Sequence, residues 1–375
     1  MKRKVLTLIG TRPELIRLSS LIPDLDEFFD HTLVHTGQNT QKELKDVFFE
    51  DLGIRPPDHS FEMDSSSIGS AIGSLFANLE GIISQVRPEA VLALGDTNSA
   101  LGLLLAKRMG LLTYHFEAGN RSFDDRVPEE VNRRMIDHVA DFNLCYTEHA
   151  RSNLLREGLH PRFISVTGSP IPEVLERVRG QLNHSEVLRR HGLEPKKYLL
   201  ASLHRQETVN FQVHLEEALD SLSYLSDVTR LPVIVSGHPR LLDRLGQSSK
   251  NLSSSLRVQP AFGFKEYLSL QLNASCVISD SGTVSEEASA LGFPAVTIRS
   301  SMERPEAMEK GSVMLSGLGK HDLVNAVEEM MKTPATELEL PDGYAERLFS
   351  KRSLRFVAST LVEGRSWKGL APLPN

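Results

Sequence analysis

The sequence predicts an α/β protein made of two Rossmann-like, doubly wound parallel-sheet domains that face a central cleft. Short apolar runs rich in leucine and β-branched residues alternate with amphipathic segments, which is the rhythm of βα units. Glycine, charged residues or both follow seven successive runs, and in open α/β sheets ligands bind at the carboxyl ends of the strands. The 375 residues suffice for two domains, since one domain takes about 100 to 200 residues.

Each domain is predicted to hold its own series of strands. The first series comprises residues 5–9, 32–36, 90–94, 112–116, 143–146 and 164–167. A helical pattern covers residues 13–29, with Pro13 in its first turn. The second series starts near Tyr198 and comprises the runs YLLASLH, PVIVSG, LRVQP, CVISD, PAVTIR and SVMLSG. We expect the two series to form separate sheets.

Linker-like segments lie between the two series, at Gly168-Ser169-Pro170 and over the polar residues 180–197. We therefore expect an N-terminal domain of residues 1–169 and a C-terminal domain of residues 170–351. A last helical pattern, about residues 352–375, can pack back on either domain, including the first.

Composition narrows the function classes. Lys and Arg number 42 against 49 Asp and Glu, a formal net charge of -7, which argues against a basic nucleic-acid-binding surface. The most apolar stretch, residues 90–106, contains Asp96, so no spanning helix of about 20 apolar residues is predicted. Cys145 and Cys276 stand far apart, which argues against a disulfide framework or a zinc site. We expect a cytoplasmic protein with no nucleic-acid, membrane or metal partner.

Three acidic residues follow neighbouring strands of the first series. Asp96 and Glu117 each end a strand, and Glu129 lies at the start of the next helix in Pro128-Glu129-Glu130. Convergent carboxylates suit the removal and return of a proton, because crowding and burial can separate their pKa values. The alternatives are structural, with Asp96 as a helix cap and the two glutamates as favourable first-turn acids. Three acids in adjacent loops shift the balance modestly toward chemistry.

A phosphate site is predicted at the start of one helix in the second series. Ser281-Gly282-Thr283 separates a strand from the helical pattern of residues 284–291, whose N-terminal amides can hold a phosphate. The alternative is a capping box formed by Thr283 and Glu286. In Glu286-Glu287, one carboxylate can accept hydrogen bonds from both hydroxyls of a ribose, while the other faces solvent or caps the helix. The alternative is that both glutamates are solvated on the surface.

Basic residues at other strand ends indicate an anionic ligand. Arg12 can make a forked contact to phosphate, or can pair with Glu14. His204, with Arg205 beside it and His238 on a later strand end, can protonate a leaving phosphate oxygen, although a lone histidine is more often structural. Neither G-x-G-x-x-G nor a P-loop follows a strand, so a nicotinamide or a phosphoryl-transfer P-loop is not predicted.

Taken in order, eight motifs resemble those of the non-hydrolysing UDP-N-acetylglucosamine 2-epimerase family. They are GTRPE, HTGQN, GDTNS, HFEAGNRSFDDRVPEEVNRR, HRQE, GHPR, SDSGTVSEE and MERPE, and they span almost the whole chain. The resemblance implies a glycosyltransferase-B-like fold with the active site between two Rossmann-like domains, a UDP-sugar substrate, no cofactor and a homodimer. It also implies inversion at C-2 through elimination of UDP, a 2-acetamidoglycal, and re-addition of UDP.

The resemblance implies roles for individual residues of this chain. The matching catalytic set consists of the family's three acids and its phosphate-side histidine, here Asp96, Glu117, Glu129 and His204. The diphosphate contacts are implied for Arg12, Ser281 and Gly282, and the ribose contact for Glu287. The full substrate-binding set within the motifs is Arg12, Pro13, Gln38, Arg121, Arg126, Arg205, His238, Ser281, Gly282, Thr283, Glu287 and Arg304.

One motif resembles a particular branch of that family. EAGNRSFDDRVPEE, with Asn120 where most members have Leu, is similar to the branch that converts UDP-2-acetamido-2,6-dideoxy-L-talose to UDP-N-acetyl-L-fucosamine for capsule or O-antigen synthesis. Asn39, Gln206 and Thr283 replace the His, Arg and Gly of ordinary members, which weakens the case for UDP-N-acetylglucosamine as substrate. The alternatives are the ordinary epimerisation to UDP-N-acetylmannosamine, a hydrolysing relative, a glycosyltransferase and a catalytically silent sensor. The acids and His204 disfavour the last two.

Overall fold

The computed structural model describes residues 2–38, 49, 52–203, 212–237, 241–242, 253–299 and 304–370. The chain forms two compact units, the first of Met1–Leu175 with Asp342–Asn375 and the second of Glu176–Pro341. The domain limits expected from the sequence fall after residues 169 and 351, six and ten residues from these boundaries. Within the described ranges, no helix is long and apolar enough to cross a membrane.

The first unit is built on a seven-stranded parallel sheet. Its strands are β1 (Lys4–Ile9), β2 (Asp30–His35), β3 (His59–Ser60), β4 (Ala90–Leu94), β5 (Leu112–Phe116), β6 (Phe142–Cys145) and β7 (Ile164–Val166). They lie in the order β3-β2-β1-β4-β5-β6-β7. The chain runs outward in opposite directions from β1 and β4, and this topological switch point is where doubly wound sheets bind ligands.

Helices cover this sheet, and its strands are therefore nearly continuous apolar runs, as in the fully buried β4 and β5. The helices are α1 (Arg12–Leu18), α2 (Ile22–Phe28), α3 (Ile68–Val86), α4 (Gly102–Arg108), α5 (Pro128–Val139), α6 (Glu148–Arg156) and α7 (Ile171–Arg179). The single helix predicted over residues 13–29 is wrong, because α1 ends at Leu18. Pro23 in the first turn of α2 cannot donate the backbone hydrogen bond of a continuous helix.

The C-terminal helix (Phe349–Trp367) belongs to the first unit. Its Thr360 hydroxyl shares a hydrogen bond of 2.9 Å with Tyr114 on β5. Gly364 lies so close to the Phe142 ring that an added Cβ would be 3.1 Å from two ring carbons. The last helix of the chain thus packs against β5 and β6, which lie more than 200 residues earlier in the sequence.

The second unit repeats the same plan with a six-stranded parallel sheet. Its strands are β8 (Leu199–Leu203), β9 (Val233–Gly237), β10 (Leu256–Pro260), β11 (Cys276–Ser279), β12 (Ala295–Thr297) and β13 (Met314–Leu315). Its helices are α8 (His184–His191), α9 (Gln212–Thr229), α10 (Phe264–Asn273), α11 (Thr283–Leu291), α12 (Glu306–Glu309) and α13 (Lys320–Lys332). The order β10-β9-β8-β11-β12-β13 puts the switch point between β8 and β11. The predicted class, two doubly wound parallel sheets, is confirmed.

Candidate active site

The switch point of the first sheet is bordered by the turn after β1 and the loop after β4. Gly10 in the turn has no space for a side chain, because a Cβ atom there would lie 1.9 Å from Ser99 Oγ and 2.4 Å from Thr36 Oγ1. Gln38, predicted to bind substrate, accepts hydrogen bonds from Ser99 N at 3.1 Å and Ser99 Oγ at 3.0 Å. The HTGQN and GDTNS motifs are therefore joined directly at this edge.

Arg12 and Pro13 begin α1 directly after the Gly10 turn. Arg12 is half-buried, and burial lowers its pKa, although a guanidinium stays charged at neutral pH. Pro13 is exposed in the first turn, where a missing N–H breaks no helical hydrogen bond. Glu14 is buried and accepts hydrogen bonds from the Gly10 N–H at 2.6 Å and the Thr97 hydroxyl at 2.5 Å. The Glu14 side chain therefore joins this turn to the loop that carries Asp96.

Asp96 follows β4 and is held by an arginine on α5. Arg133 donates to the Asp96 carboxylate and, at 2.7 Å, to Glu130. The Asp96 side chain keeps 22% of its surface exposed, so it is open to a ligand as well as to its arginine. The structural alternative is that Asp96 caps a helix together with Thr97. Thr97 does occupy the N-cap position of the short 3-10 helix Asn98–Leu101, but the cap assigned to Asp96 is wrong.

Glu117 follows β5 in a left-handed backbone conformation, with φ of 66°, which residues other than glycine rarely adopt. Its side chain is nearly buried, and Arg17 of α1 donates to its carboxylate. One oxygen of this carboxylate lies 3.8 Å from the position of a Cβ built on Gly95. Since Gly95 precedes Asp96, the structure brings two of the predicted acids to adjacent loops and gives each an arginine.

Glu129 and Glu130 are neighbours on α5 with different surroundings. Glu129 is half-buried, and the side chain of Glu130 has no exposed surface. Glu130 accepts a hydrogen bond from the Ser122 N–H at 2.9 Å and pairs with Arg133. Burial raises the pKa of Glu130, but the Ser122 hydrogen bond and the arginine charges outweigh burial and leave the pKa below its usual value. Glu130 thus anchors the preceding loop, and Glu129 remains the third predicted acid.

Arg121, predicted to bind substrate, has no exposed side-chain surface. It donates to Asp137 at 2.7 Å, to the carbonyl oxygen of Asn120 at 2.7 Å, and to the two oxygens of Glu157 at 2.7 and 2.6 Å. These bonds occupy all three guanidinium nitrogens. The structure therefore places Arg121 in the buried scaffold of the loop after β5, and its predicted contact with substrate stays a prediction.

Asp137 is the centre of that buried scaffold. Besides Arg121, it binds one ring nitrogen of His115 at 2.8 Å and accepts the Gly119 N–H at 3.1 Å. The other His115 nitrogen is 2.7 Å from the carbonyl oxygen of Gly95. Burial raises the pKa of Asp137, but the His115 hydrogen bond and the charged partners outweigh it and hold the pKa below its usual value. This network connects the loops that carry Asp96 and Glu117.

Arg126, another predicted substrate-binding residue, lies on the surface of the first unit. Its side chain is 84% exposed and donates to both carboxylate oxygens of Asp124 at 2.8 Å. That hydrogen bond raises the pKa of the guanidinium. The described contacts of Arg126 are thus with its own loop and not with the arginine-bound acids Asp96 and Glu117.

In the second unit, the loop after β11 leads into helix α11. Ser281 Oγ and Thr283 Oγ1 are 2.8 Å apart, and Ser281 Oγ accepts the Thr283 N–H at 3.3 Å. Gly282 is the N-cap residue and provides no side-chain cap. The predicted capping box of Thr283 and Glu286 is therefore wrong. Glu286 is fully buried and accepts a hydrogen bond from Arg304 instead.

Arg304, also predicted to bind substrate, is 3% exposed. Its Nη1 donates to Glu286 at 2.5 Å and to the carbonyl oxygen of Gly282 at 2.8 Å. It therefore holds the residues that begin α11 in place. The expectation that one acid of Glu286-Glu287 faces solvent is wrong, because Glu286 is buried in this pair and Glu287 is half-buried.

Glu287, the predicted ribose acceptor, receives a hydrogen bond of 2.6 Å from Gln271 on α10. Tyr267, on the same helix as Gln271, has a pKa raised first by burial and then by the negative charge of Glu287. The carboxylate thus has neighbours that orient it. Its partially exposed position, one turn after the start of α11, is compatible with a ligand hydroxyl.

Several predicted positions lie outside the described residues. They are His204, Arg205 and His238, together with the departures Asn39 and Gln206. Arg17 and Arg133, by contrast, were not singled out from the sequence. The sequence did contain a pattern, because Arg17 is three residues after Glu14 on α1 and Arg133 is four residues after Glu129 on α5. This helical spacing predicts a partner on the same helix and cannot reveal one on a loop after a distant strand.

Two doubly wound sheets, with arginine-bound acids at one switch point and a serine-glycine-threonine helix start at the other, define an enzyme of the two-Rossmann-unit class. A family model described as UDP-N-acetylglucosamine 2-epimerase matches residues 24–351. The chain belongs to the UDP-N-acetylglucosamine 2-epimerase family. The predictions of this family and of an isomerase are confirmed.

Solved and curated relatives agree with this assignment. The structure of a UDP-N-acetylglucosamine 2-epimerase from Rickettsia bellii has a TM-score of 0.90 and 41% identity, covering 98% of this chain and 99% of that one. A Methanocaldococcus jannaschii UDP-GlcNAc 2-epimerase in complex with UDP-GlcNAc and UDP has a TM-score of 0.87 and 31% identity, covering 95% and 99%. A UDP-2,3-diacetamido-2,3-dideoxy-D-glucuronate 2-epimerase from Pseudomonas aeruginosa is 32% identical, covering 86% of this chain and 91% of that protein.

Proposed function

We propose that this protein inverts C-2 of a UDP-linked 2-acetamido sugar. The observation that carries the proposal is the placement of Asp96 on the loop at the switch point between β1 and β4, and of Glu117 on the adjacent loop after β5, each with its own arginine. Family membership supports it, and so does the Methanocaldococcus jannaschii relative, which was solved with UDP-GlcNAc and UDP.

The proposed reaction removes and returns one proton. A carboxylate takes the C-2 proton while the bond from C-1 to the UDP oxygen breaks, which leaves a 2-acetamidoglycal and UDP. An acid then delivers a proton to the opposite face of C-2, and the UDP oxygen attacks C-1 to restore the glycosidic bond. Atoms and charge balance without an oxidant. Asp96, Glu117 and Glu129 share the acid and base roles as a group.

The arginines have a definite part in this scheme. Arg133 and Arg17 donate to the carboxylates of Asp96 and Glu117, and charge-assisted hydrogen bonds of this kind fix the direction of a carboxylate. A base must meet the C-2 proton at hydrogen-bond range, so small errors in its direction slow the reaction. We therefore assign the two arginines as positioning residues.

The nucleotide is assigned to the predicted anion-binding positions. We propose that Arg12, with Ser281 and Gly282 at the start of α11, contacts the diphosphate, because helix N-terminal amides and guanidinium groups both favour such an anion. Glu287 accepts the ribose hydroxyls. His204 is proposed as the phosphate-side proton donor on the strength of its motif.

We further propose UDP-2-acetamido-2,6-dideoxy-L-talose as the substrate and UDP-N-acetyl-L-fucosamine as the product, for capsule or O-antigen synthesis. The motif EAGNRSFDDRVPEE and the departures at Asn39, Gln206 and Thr283 support this choice. UDP-N-acetylglucosamine is the second candidate, favoured by the Methanocaldococcus jannaschii complex. The Pseudomonas aeruginosa relative, named for a diacetamido-glucuronate, indicates that sugars differ among related proteins. A cytoplasmic homodimer completes the proposal.

Deuterium exchange tests the chemistry and the substrate together. The protein is incubated with each of the two UDP-sugars in deuterated water, and C-2 is followed by NMR. Epimerisation predicts deuterium at C-2 of the new epimer, with the preferred sugar reacting faster. Absence of exchange with both sugars, combined with UDP release only when an acceptor sugar is added, would indicate a glycosyltransferase and contradict the proposal.

Single substitutions test the acid-base roles proposed for Asp96 and Glu117. Asp96→Asn and Glu117→Gln should suppress exchange at least a hundredfold and keep UDP binding, since general acid-base catalysis typically contributes about 10² to 10⁴-fold. Glu148→Gln is the matched control, because Glu148 also pairs with an arginine, Arg151, but its side chain is 67% exposed on α6, outside the predicted site. It should exchange at the normal rate. Loss of UDP affinity in the Asp96 or Glu117 variant would make that acid part of the nucleotide contact.

A further inference from the structure

Glu14 is a buried carboxyl group that the proposed chemistry does not use. It is 2% exposed and lies on the first turn of α1, two residues after Arg12. One of its oxygens accepts the Gly10 N–H at 2.6 Å and the Thr11 N–H at 3.2 Å. The other accepts the Thr97 hydroxyl at 2.5 Å, across 83 residues of sequence.

Helix capping explains only part of this arrangement. Thr11 is the N-cap residue of α1, and a glutamate at the third helical position that returns to the N-cap N–H is one half of a capping box. The contacts to Gly10 and Thr97 go beyond a cap. Thr97 follows Asp96 on the loop after β4, and β4 lies beside β1 in the sheet. The carboxyl group therefore connects the two sides of the switch point.

Both protonation states of Glu14 can keep this connection. Burial raises its pKa to about 7, so both states are populated near neutral pH. One oxygen can serve the two backbone N–H groups in either state, and the Thr97 hydroxyl can donate to a carboxylate or accept from a carboxylic acid. An apolar side chain would leave the Gly10 and Thr11 N–H groups unpaired, which is costly in a buried site.

We infer that Glu14 is a positioning residue for the reaction proposed above: it ties the turn that carries Arg12 to the loop that carries Asp96. The inference rests on the proposed function. Through this contact, Glu14 sets the distance between Arg12, which is assigned to the diphosphate, and Asp96, which is assigned to the C-2 proton. Errors of about 1 Å in such a distance can slow an enzyme a hundredfold.

Thr97→Val is the sharpest test, because it removes the link between the loops and leaves the Glu14 cap in place. The matched control is Thr147→Val, the same chemical change at a buried threonine that caps α6 through the Ala150 N–H at 3.2 Å. Thr97→Val should lower kcat for C-2 exchange about tenfold to a hundredfold, with the Kd for UDP unchanged within about twofold. Thr147→Val should turn over normally.

Two Glu14 variants complete the test. Glu14→Ala should lose at least as much kcat as Thr97→Val, and adding Thr97→Val to it should cause little further loss, because both changes break one link. Glu14→Gln can make all three hydrogen bonds and should recover most of the kcat that alanine loses. Equal losses of kcat in Glu14→Gln and Glu14→Ala would contradict the inference, because glutamine keeps the shape and the hydrogen bonds that alanine removes.

The outcomes separate the inference from the proposed function. If the wild-type protein exchanges deuterium and Thr97→Val is as fast as wild type, or no slower than Thr147→Val, the positioning role of Glu14 is overturned and the proposed function stands. If the wild-type protein exchanges neither UDP-sugar, the proposed function fails and the inference fails with it. A slow Thr97→Val protein beside a normal Thr147→Val protein supports both.

Discussion

Arg121→Met tests whether the buried guanidinium holds the first unit together. The substitution leaves the fully buried Asp137 without its arginine, and removing one partner of a buried ion pair costs about 3 to 5 kcal/mol. Glu157 keeps 26% of its side-chain surface exposed, so water can compensate much of its loss. Methionine fills a similar volume and limits the cavity. We therefore expect the free energy of unfolding of this unit to fall by about 3 to 5 kcal/mol.

The single tryptophan supplies the assay. Trp367 lies in the C-terminal helix of the first unit, with the Arg162 guanidinium 4.4 Å from its ring, so its fluorescence reports unfolding of that unit. With a slope of about 3 kcal/mol per M urea, the midpoint should fall by about 1 to 1.7 M. The control is Arg126→Met, which breaks an exposed pair and should leave the midpoint unchanged. An Arg121→Met protein with the wild-type midpoint but weakened UDP binding would refute this reasoning and support a substrate contact.

Three further changes have defined outcomes. Arg304→Met leaves Glu286 buried without its cation, so urea titration followed by circular dichroism should show a loss of about 3 to 5 kcal/mol, and equal stability would contradict the pair's importance. Gly10→Ala places a Cβ 1.9 Å from Ser99 Oγ and should cost about 1 to 3 kcal/mol by calorimetry, whereas an unchanged Tm would mean that the loop yields freely. Burial raises the pKa of Glu14 from 4.5 to about 7, so its stabilising contribution is complete below pH 4.5. As the pH rises to about 7, the free energy of unfolding should fall by about 3 kcal/mol. Urea midpoints from pH 4 to 8 should show this decline in the wild type and not in Glu14→Gln, and parallel curves would count against it.

Fold class could be predicted from the sequence because it depends on short-range patterns. The apolar runs of β4 and β5 can be recognised directly in the sequence, and the polar residues after them indicate where the strands end. The helix predicted over residues 13–29 failed because a continuous amphipathic pattern hides the stop between α1 and α2, which Pro23 and local packing determine.

The site was only partly predictable for a related reason. The sequence predicted that Asp96 and Glu117 lie close together because each comes within two residues of the end of its strand, and strand order brings such ends together. Arg17 and Arg133 were missed because the partner of a long side chain is set by packing between elements. Glu286 shows the same limit. The sequence TVSE fits a capping box, but in the structure Glu286 pairs with Arg304, and nothing in those four residues indicates that partner.

By itself, the sequence of this protein determined two parallel-sheet units and the family, and it provided the acids and basic residues that we propose as the ligand-facing set. These depend on periodicity and on motifs within a few residues of each other. Only the tertiary structure decided which polar residues support the protein and which remain available. Arg121 became a buried anchor of Asp137, while Asp96, beside Arg133, kept 22% of its side-chain surface exposed. The physical reason is that burial and ion pairing depend on contacts between residues far apart in the chain, and these contacts exist only after the sheet has formed.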